Sequence, residues 1–186
     1  MENQFKMRIY YTIPYDTNKN LGKYYNDFMK LLPNDDDFAC FVDGDTIFTT
    51  YNYGLILEKT IERYPQIGCF TAMTNRVNCK WQIAPGINQD SNDIEYHRKY
   101  GNDILNIYDT FCEDVTNKQL FSGFLILLNK KTWEKVGGFL ENGMLGVDND
   151  LHKKLIRHDE KMYLMKGVYL YHWYRNNKNK EIKHLL

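Results

Sequence analysis

The chain is punctuated at regular intervals, and that punctuation restricts what it can fold into. Short apolar runs rich in β-branched and aromatic residues alternate with apolar stripes at helical spacing, and proline or paired glycine closes several of them. "MRIYYTI" (7–13) stops at Pro14. Leu21, Tyr24, Tyr25, Phe28, Leu31 and Leu32 then recur at i, i+3, i+4 and i+7, with Asn20 as cap and Pro33 as stop. "FACFV" (38–42) reads as a second strand, Tyr53, Leu57, Ile61 and Tyr64 as a helix stopped by Pro65, and "IGCFTA" (67–72) as a third strand. "FLILLN" (124–129) is a fourth, followed by a short helix in "KTWEKV" closed by Gly137 and Gly138, and by a further helix from Asp148 to His158. "MYLM" and "VYLYHW" read as two short final strands. The polar stretch from Asn75 to Asp93 reads as a long loop, with a helical or mixed segment after it to about Phe111.

Strands alternating with helices imply an α/β layer structure, a mixed sheet flanked by helices. No repeat or linker splits residues 1–186, so one compact domain is expected, with a flexible basic tail over about 175–186. The first strand is expected inside the sheet, away from its edges. With 186 residues, 43% of them hydrophobic, the chain can bury one sizeable core.

Lys plus Arg equal Asp plus Glu at 24 each, so the net charge implies no nucleic-acid or membrane-surface partner. The longest wholly apolar run, Phe124 to Leu128, falls far short of a membrane span, and "MENQFKMRIYY" has no secretory apolar core. No transmembrane segment and a cytoplasmic location are therefore expected. Cys40, Cys69, Cys79 and Cys112 lack the spacing of a zinc site and read as reduced core residues.

The chemistry concentrates in "FVDGDTIF" (41–48), which sets Asp43 and Asp45 one residue apart at the end of an apolar run. At a strand end two such carboxylates can hold a hard divalent cation and leave positions open for phosphate oxygens; Asp-Gly is equally a common turn. The octamer resembles the nucleophile motif of haloacid dehalogenase-type phosphatases, which implies Asp43 as nucleophile and Asp45 as acid and base. Thr71 and the aspartates of "GVDND" are similar to that superfamily's later motifs.

A longer resemblance covers most of Lys6 to Tyr174, apart from the segment between Asn75 and Phe111. "NLGKYYNDFMKLLPNDDDFACFVDGD" (20–45), with Asn20, Gly22 and Asn26, resembles family 2 glycosyltransferases of the GT-A fold where an Asn-x-Gly helix leads into a strand ending in DxD. "FSGFLILLNKKTWEKVGGFLE" (121–141) resembles their Gly, strand, short helix and Gly-Gly-Phe segment, "GVDNDLHKKL" their acidic helix start, and His172 in "VYLYHWYR" a late-strand metal ligand. The resemblance implies a GT-A-like (Rossmann-like) sheet and an inverting, metal-dependent transfer of a sugar from a nucleotide-sugar, a UDP-sugar first, to a hydroxyl acceptor. Mn2+ or Mg2+ is implied at Asp43, Asp45 and His172, and Asp148 as general base. On a helix that starts there Asp148 shares a face with Leu151 and Leu155, whereas Asp150 points elsewhere.

Two departures stand out. Val147 precedes Asp148 where the family usually has glutamate, and only one strand–helix unit fits between Ile13 and Asp43, although the family spends two before DxD. The nucleotide base then falls to "TIPYD", with Thr12, Ile13, Pro14, Tyr15 and Asp16, and Tyr15 is placed to stack on uracil. Asn20, Asp43, Gly44 and Arg76 complete the expected nucleotide contacts. Lys80, Trp81, Arg175 and Lys178 are further candidates for phosphate, acceptor or sugar. A domain of the same fold that binds a nucleotide sugar without turning it over is the third reading.

Overall fold

The computed structural model describes residues 7–119 and 121–174; Arg175 and Lys178 lie outside the described residues. A mixed sheet forms the centre, built from β1 (Ile9–Thr12), β2 (Phe38–Val42), β3 (Thr46–Phe48), β4 (Cys69–Thr74), β5 (Cys112–Asp114), β6 (Leu125–Asn129) and β7 (Met162–His172). The order is β1-β2-β6-β4-β7-β3, with β5 also paired to β7. β1, β2, β4 and β7 run one way and β3, β5 and β6 the other. Around the sheet lie α1 (Leu21–Leu31), α2 (Tyr53–Arg63), α3 (Ile94–Tyr108), α4 (Lys130–Lys135) and α5 (Val147–Arg157). No helix among the described residues is long and apolar enough to cross a membrane.

Every residue of β2 is buried because both faces of the sheet are covered. Ala39 and Phe41 join the cluster under α1 and α5, with Tyr25, Met29, Leu151 and Leu155. Phe38, Cys40 and Val42 point the other way, toward Ile56, Leu57 and Ile61 of α2. All four cysteines are buried and free.

Three expectations need correction. β1 is an edge strand, paired only with β2 among the described residues, and its side chains are half-buried or exposed. Its aromatic and β-branched residues also suit a one-sided edge, which composition does not separate from a central strand. The two expected final strands are one continuous β7: its register against β4 jumps from Ala72–Met165 to Met73–Tyr169, so Lys166, Gly167 and Val168 form a bulge. A side chain at Gly167 would put its Cβ 1.7 Å from the Asp109 carbonyl, so the bulge needs glycine there. Finally, the stretch expected as a long polar loop is packed: Arg76, Val77, Cys79, Gln82, Ala84 and Ile87 are buried, and a 3-10 turn at Lys80–Gln82 interrupts it.

Gly22 and Asn26 of the first helix, and Asn20 at its cap, are structural. Asn20 caps α1 by accepting from the Lys23 N–H, and Gly22 lets the helix approach the Leu140 carbonyl, which a Cβ would meet at 1.9 Å. Asn26 is 8% exposed; its Nδ2 donates to the Phe139 carbonyl (3.0 Å) and to Glu141 (2.8 Å). Its Oδ1 accepts from the Phe139 N–H (2.8 Å) and the Trp133 indole (2.9 Å). Those contacts fix the chain after the Gly-Gly turn onto α1.

Candidate metal centre and adjoining pocket

The carboxyl ends of β2, β4 and β7 share one rim of the sheet, and the Asp-Gly-Asp turn closes it. Asp43 donates its N–H to the Phe124 carbonyl (2.9 Å), and its own carbonyl accepts from the Thr46 N–H (3.1 Å) and Oγ1 (2.7 Å). This tight turn sends β3 back across the rim to pair with β7, setting Thr46 opposite His172. The Trp173 N–H donates to the Asp45 carbonyl at 2.9 Å. Residues from distant parts of the chain are thereby brought together: Asp43, Asp45 and His172 each offer a ligand atom, all within 4.8 Å of one another.

His172 Nε2 lies 3.1 Å from Asp45 Oδ1, while the imidazole, 3% exposed, packs between the rings of Phe124 and Tyr174. Its backbone N–H donates to Asn75 Oδ1 (2.7 Å), which anchors the β7 end to the end of β4. His172 Nδ1 is buried with no hydrogen-bond partner. The ring is thus held by stacking, without the acceptor that commonly fixes a ligating histidine through its second nitrogen.

Three carboxylates face one another here. Burial pushes Asp43 up to about 6, the charges of Asp45 and Asp148 add to this, and His172 opposes it. Asp45, about half exposed, is also raised by burial, but its hydrogen bond to His172 and the charge of that ring prevail and leave it below the usual carboxylate range. Two hard oxygen donors, an imidazole and mutual carboxylate repulsion together fit a divalent cation such as Mn2+ or Mg2+.

A pocket of about 320 Å³ adjoins the triad, reached by Asp43, His172 and Asp148. Asp148 sits at the start of α5. Its Oδ2 accepts from the Gly123 N–H (3.0 Å), its Oδ1 from the Asn149 N–H (2.8 Å) and Nδ2 (3.2 Å). A Cβ on Gly123 would lie 3.0 Å from that of Asp148, so the glycine permits the approach. Burial raises the Asp148 pKa, and the donated N–H groups offset part of the rise. Asp150 turns away and pairs with Lys154 (2.9 Å), whose Nζ donates to the Gly138 carbonyl. Val147 is buried in the core beneath α5.

Other expected contacts lie elsewhere. Arg76 is 2% exposed, donates to Asn92 (2.7 Å) and the Tyr171 hydroxyl (3.1 Å), and lies over the Tyr171 ring, so it is part of the interior and is not among the residues that line the pocket. Asn20 is occupied as a helix cap. Thr12 bonds the Tyr24 hydroxyl, and Asp16 accepts from the Asn18 and Asn20 N–H groups. Tyr15, 77% exposed, lines with Asp16 a separate open depression of about 490 Å³ that also includes Tyr24 and Phe28. Ile13 and Pro14 continue that stretch; Ile13 is 62% exposed, and its Cγ2 is 3.4 Å from where a Cβ on Gly44 would stand, which places the end of β1 beside the Asp-Gly-Asp turn. Lys80 is exposed, and the Trp81 indole donates to the Gln119 carbonyl while its ring packs on the core.

Sequence reasoning missed Asn75, which holds the His172 backbone, and Gly123, which holds Asp148. Gly123 stands inside the quoted "FSGF" stretch, so a signal existed; for Asn75, the first residue of an expected loop, none did. No known family model matches the chain, and no curated protein matches it significantly.

Proposed function

We propose that this protein is a metal-dependent glycosyltransferase that moves a sugar from a UDP-sugar to a hydroxyl acceptor with inversion. The observation that carries the reading is the convergence of Asp43, Asp45 and His172 beside a pocket that also receives Asp148. Asp45 and His172 would hold the cation directly, with Asp43 completing the set; His172 would offer Nε2, which faces Asp45 at 3.1 Å. When bound, a divalent cation neutralises the diphosphate as it leaves. The nucleoside is assigned to Thr12, Ile13, Pro14, Tyr15, Asp16 and Gly44, which the approach of Ile13 Cγ2 to Gly44 supports, at 3.4 Å from where a Cβ there would stand.

The reaction is a single displacement. The acceptor oxygen bonds to the anomeric carbon as that carbon's bond to the diphosphate oxygen breaks; the electron pair leaves with UDP, and Asp148 takes the acceptor proton. A carboxylate with a raised pKa, fixed by two backbone N–H groups, suits that task near neutral pH. The lack of a glutamate at 147 removes a second acidic contact to the acceptor.

The test is thermal stability with UDP in the presence and absence of Mn2+. UDP stabilises the protein only with the cation, and Asp45→Asn abolishes the effect; equal stabilisation in excess chelator refutes the assignment.

The phosphatase reading, with Asp43 as a nucleophile, is weakened by Thr71. That residue is fully buried, donates to the Leu125 carbonyl (2.9 Å) and accepts from Gln82 (2.9 Å), so it has no face left for a phosphate. A domain that binds without turnover would show the cation-dependent stabilisation but no transfer or donor hydrolysis.

A further inference from the structure

We infer that the Tyr25 hydroxyl reads the donor: it hydrogen-bonds a hydroxyl group of the transferred sugar and so helps to set which UDP-sugar is used. The inference rests on the glycosyltransfer reading of the same pocket and adds a residue to it. In that reading the diphosphate lies at the cation and the acceptor hydroxyl at Asp148, and a single displacement needs the anomeric carbon between them. The sugar ring therefore occupies the space that Asp43 and Asp148 both border. At about 320 Å³ the pocket is near the lower end of the roughly 300–1,000 Å³ that small-ligand sites span, which suits one monosaccharide unit.

Tyr25 stands on α1 with its ring against Phe41 (centroids 4.3 Å apart) and Phe139 (4.8 Å), and the residue is 2% exposed. These neighbours hold the ring, and with it the place of its oxygen. No described residue hydrogen-bonds to that oxygen, yet it is not sealed from solvent, so it opens on the pocket that Tyr25 lines. Burial raises the pKa of the phenol and the charges of Asp43 and Asp148 raise it further, so both carboxylates lie within electrostatic reach of the hydroxyl, which keeps its proton at neutral pH. A donor held in a half-enclosed pocket with no protein partner is matched by a ligand oxygen, and a site built to bond a substrate hydroxyl discriminates against analogues that lack it. The rest of the lining suits a sugar as well. Asn149 Nδ2 has a second hydrogen beyond its bond to Asp148 (3.2 Å), Ser122 brings a hydroxyl, and Leu21, Met144 and Leu145 offer apolar surface to the C–H face of a pyranose.

Tyr25→Phe removes the oxygen and keeps the ring. Since no described residue bonds that oxygen, the Tm of the free protein and its Mn2+-dependent binding of UDP should be unchanged. Titration calorimetry with Mn2+ and UDP, UDP-glucose, UDP-galactose or UDP-N-acetylglucosamine gives the affinity of each UDP-sugar relative to UDP. The variant should lower that ratio about tenfold for the best-bound sugar, roughly what one neutral hydrogen bond is worth. Monodeoxy forms of that donor, one hydroxyl removed at a time, locate the partner: one of them binds the wild-type protein as weakly as the parent donor binds Tyr25→Phe, and loses nothing further in the variant. An unchanged ratio, a fall in UDP affinity itself, losses that add at every deoxy position, or UDP binding without binding of any of the three sugar donors overturns the inference and leaves the metal reading standing. A wild-type protein that binds none of these nucleotides in a Mn2+-dependent way sinks the glycosyltransfer reading and this assignment with it.

Discussion

Asn26→Ala should destabilise the protein by about 3 kcal/mol. The figure follows from what the side chain satisfies. The Phe139 N–H and carbonyl both bond to Asn26 (2.8 and 3.0 Å), and Phe139 is 3% exposed, so water does not replace the lost partner at either group. A buried backbone group left unpaired costs about 1–3 kcal/mol, and taking the low end twice gives roughly 2–2.5 kcal/mol. The bonds to Trp133 and Glu141 lie nearer solvent, and each adds about 0.5 kcal/mol or less, because water can take their place. For a domain of this size the total corresponds to a fall in Tm of about 6–12 °C. Urea unfolding of both proteins, read by tryptophan fluorescence and circular dichroism, measures the loss as a lower midpoint at unchanged slope. A loss below about 1 kcal/mol would refute the reasoning, since it would mean the Gly-Gly-Phe turn relaxes to find other partners. Asn26→Asp separates the two halves of the contact: it keeps the acceptor for the Phe139 and Trp133 N–H groups and abandons the carbonyl.

Gly22→Ala should cost at least ~2 kcal/mol and several degrees of Tm, because the new Cβ meets a backbone carbonyl at 1.9 Å, whereas Gly54→Ala, with only the Tyr11 hydroxyl at 3.5 Å, should be neutral or stabilising. A differential scan of both variants decides this, and equal effects would argue that α1 can retreat from the Gly-Gly-Phe segment. Asp43, raised to about 6 against roughly 3.9 unfolded, takes up a proton on folding; without a cation its contribution disfavours the folded state increasingly as pH rises from about 4 to about 6. Since a cation needs the ionised form, Mn2+ should stabilise the protein more at pH 7 than at pH 5, and a pH-independent Tm increment would contradict the pairing. Asp148→Asn should leave UDP binding within about threefold while transfer falls at least ~100-fold, with Asp150→Asn milder; loss of UDP binding or an unfolded α5 would mean that Asp148 only caps its helix.

How far the sequence could be read depended on the distance over which each feature is decided. Helices α1 and α2 were legible because an apolar stripe and a stop residue are local. The edge position of β1 was not, since Ile9 to Thr12 look the same whether one side or two are paired. The burial of Arg76 depends on Asn92 and Tyr171, which no periodicity connects to it. The aspartates of the turn and His172 were legible as candidates, yet their meeting depends on the β3–β7 pairing, and "TIF" is too short to announce a strand. The bulge at Lys166–Val168 was visible only as an interruption, because Gly167 signals a break equally well between strands and within one.

The β3–β7 pairing also dictates when the site can exist. Its aspartates belong to the first quarter of the chain and its histidine to the last strand described, so a ribosome exposes Asp43 and Asp45 long before His172 is polymerised. Until β7 has been made and has docked, the nascent chain carries two carboxylates on an unpaired turn and no third ligand. On the metal-dependent reading proposed above, cation capture would therefore be a late event in the protein's biogenesis, one that reports a finished sheet.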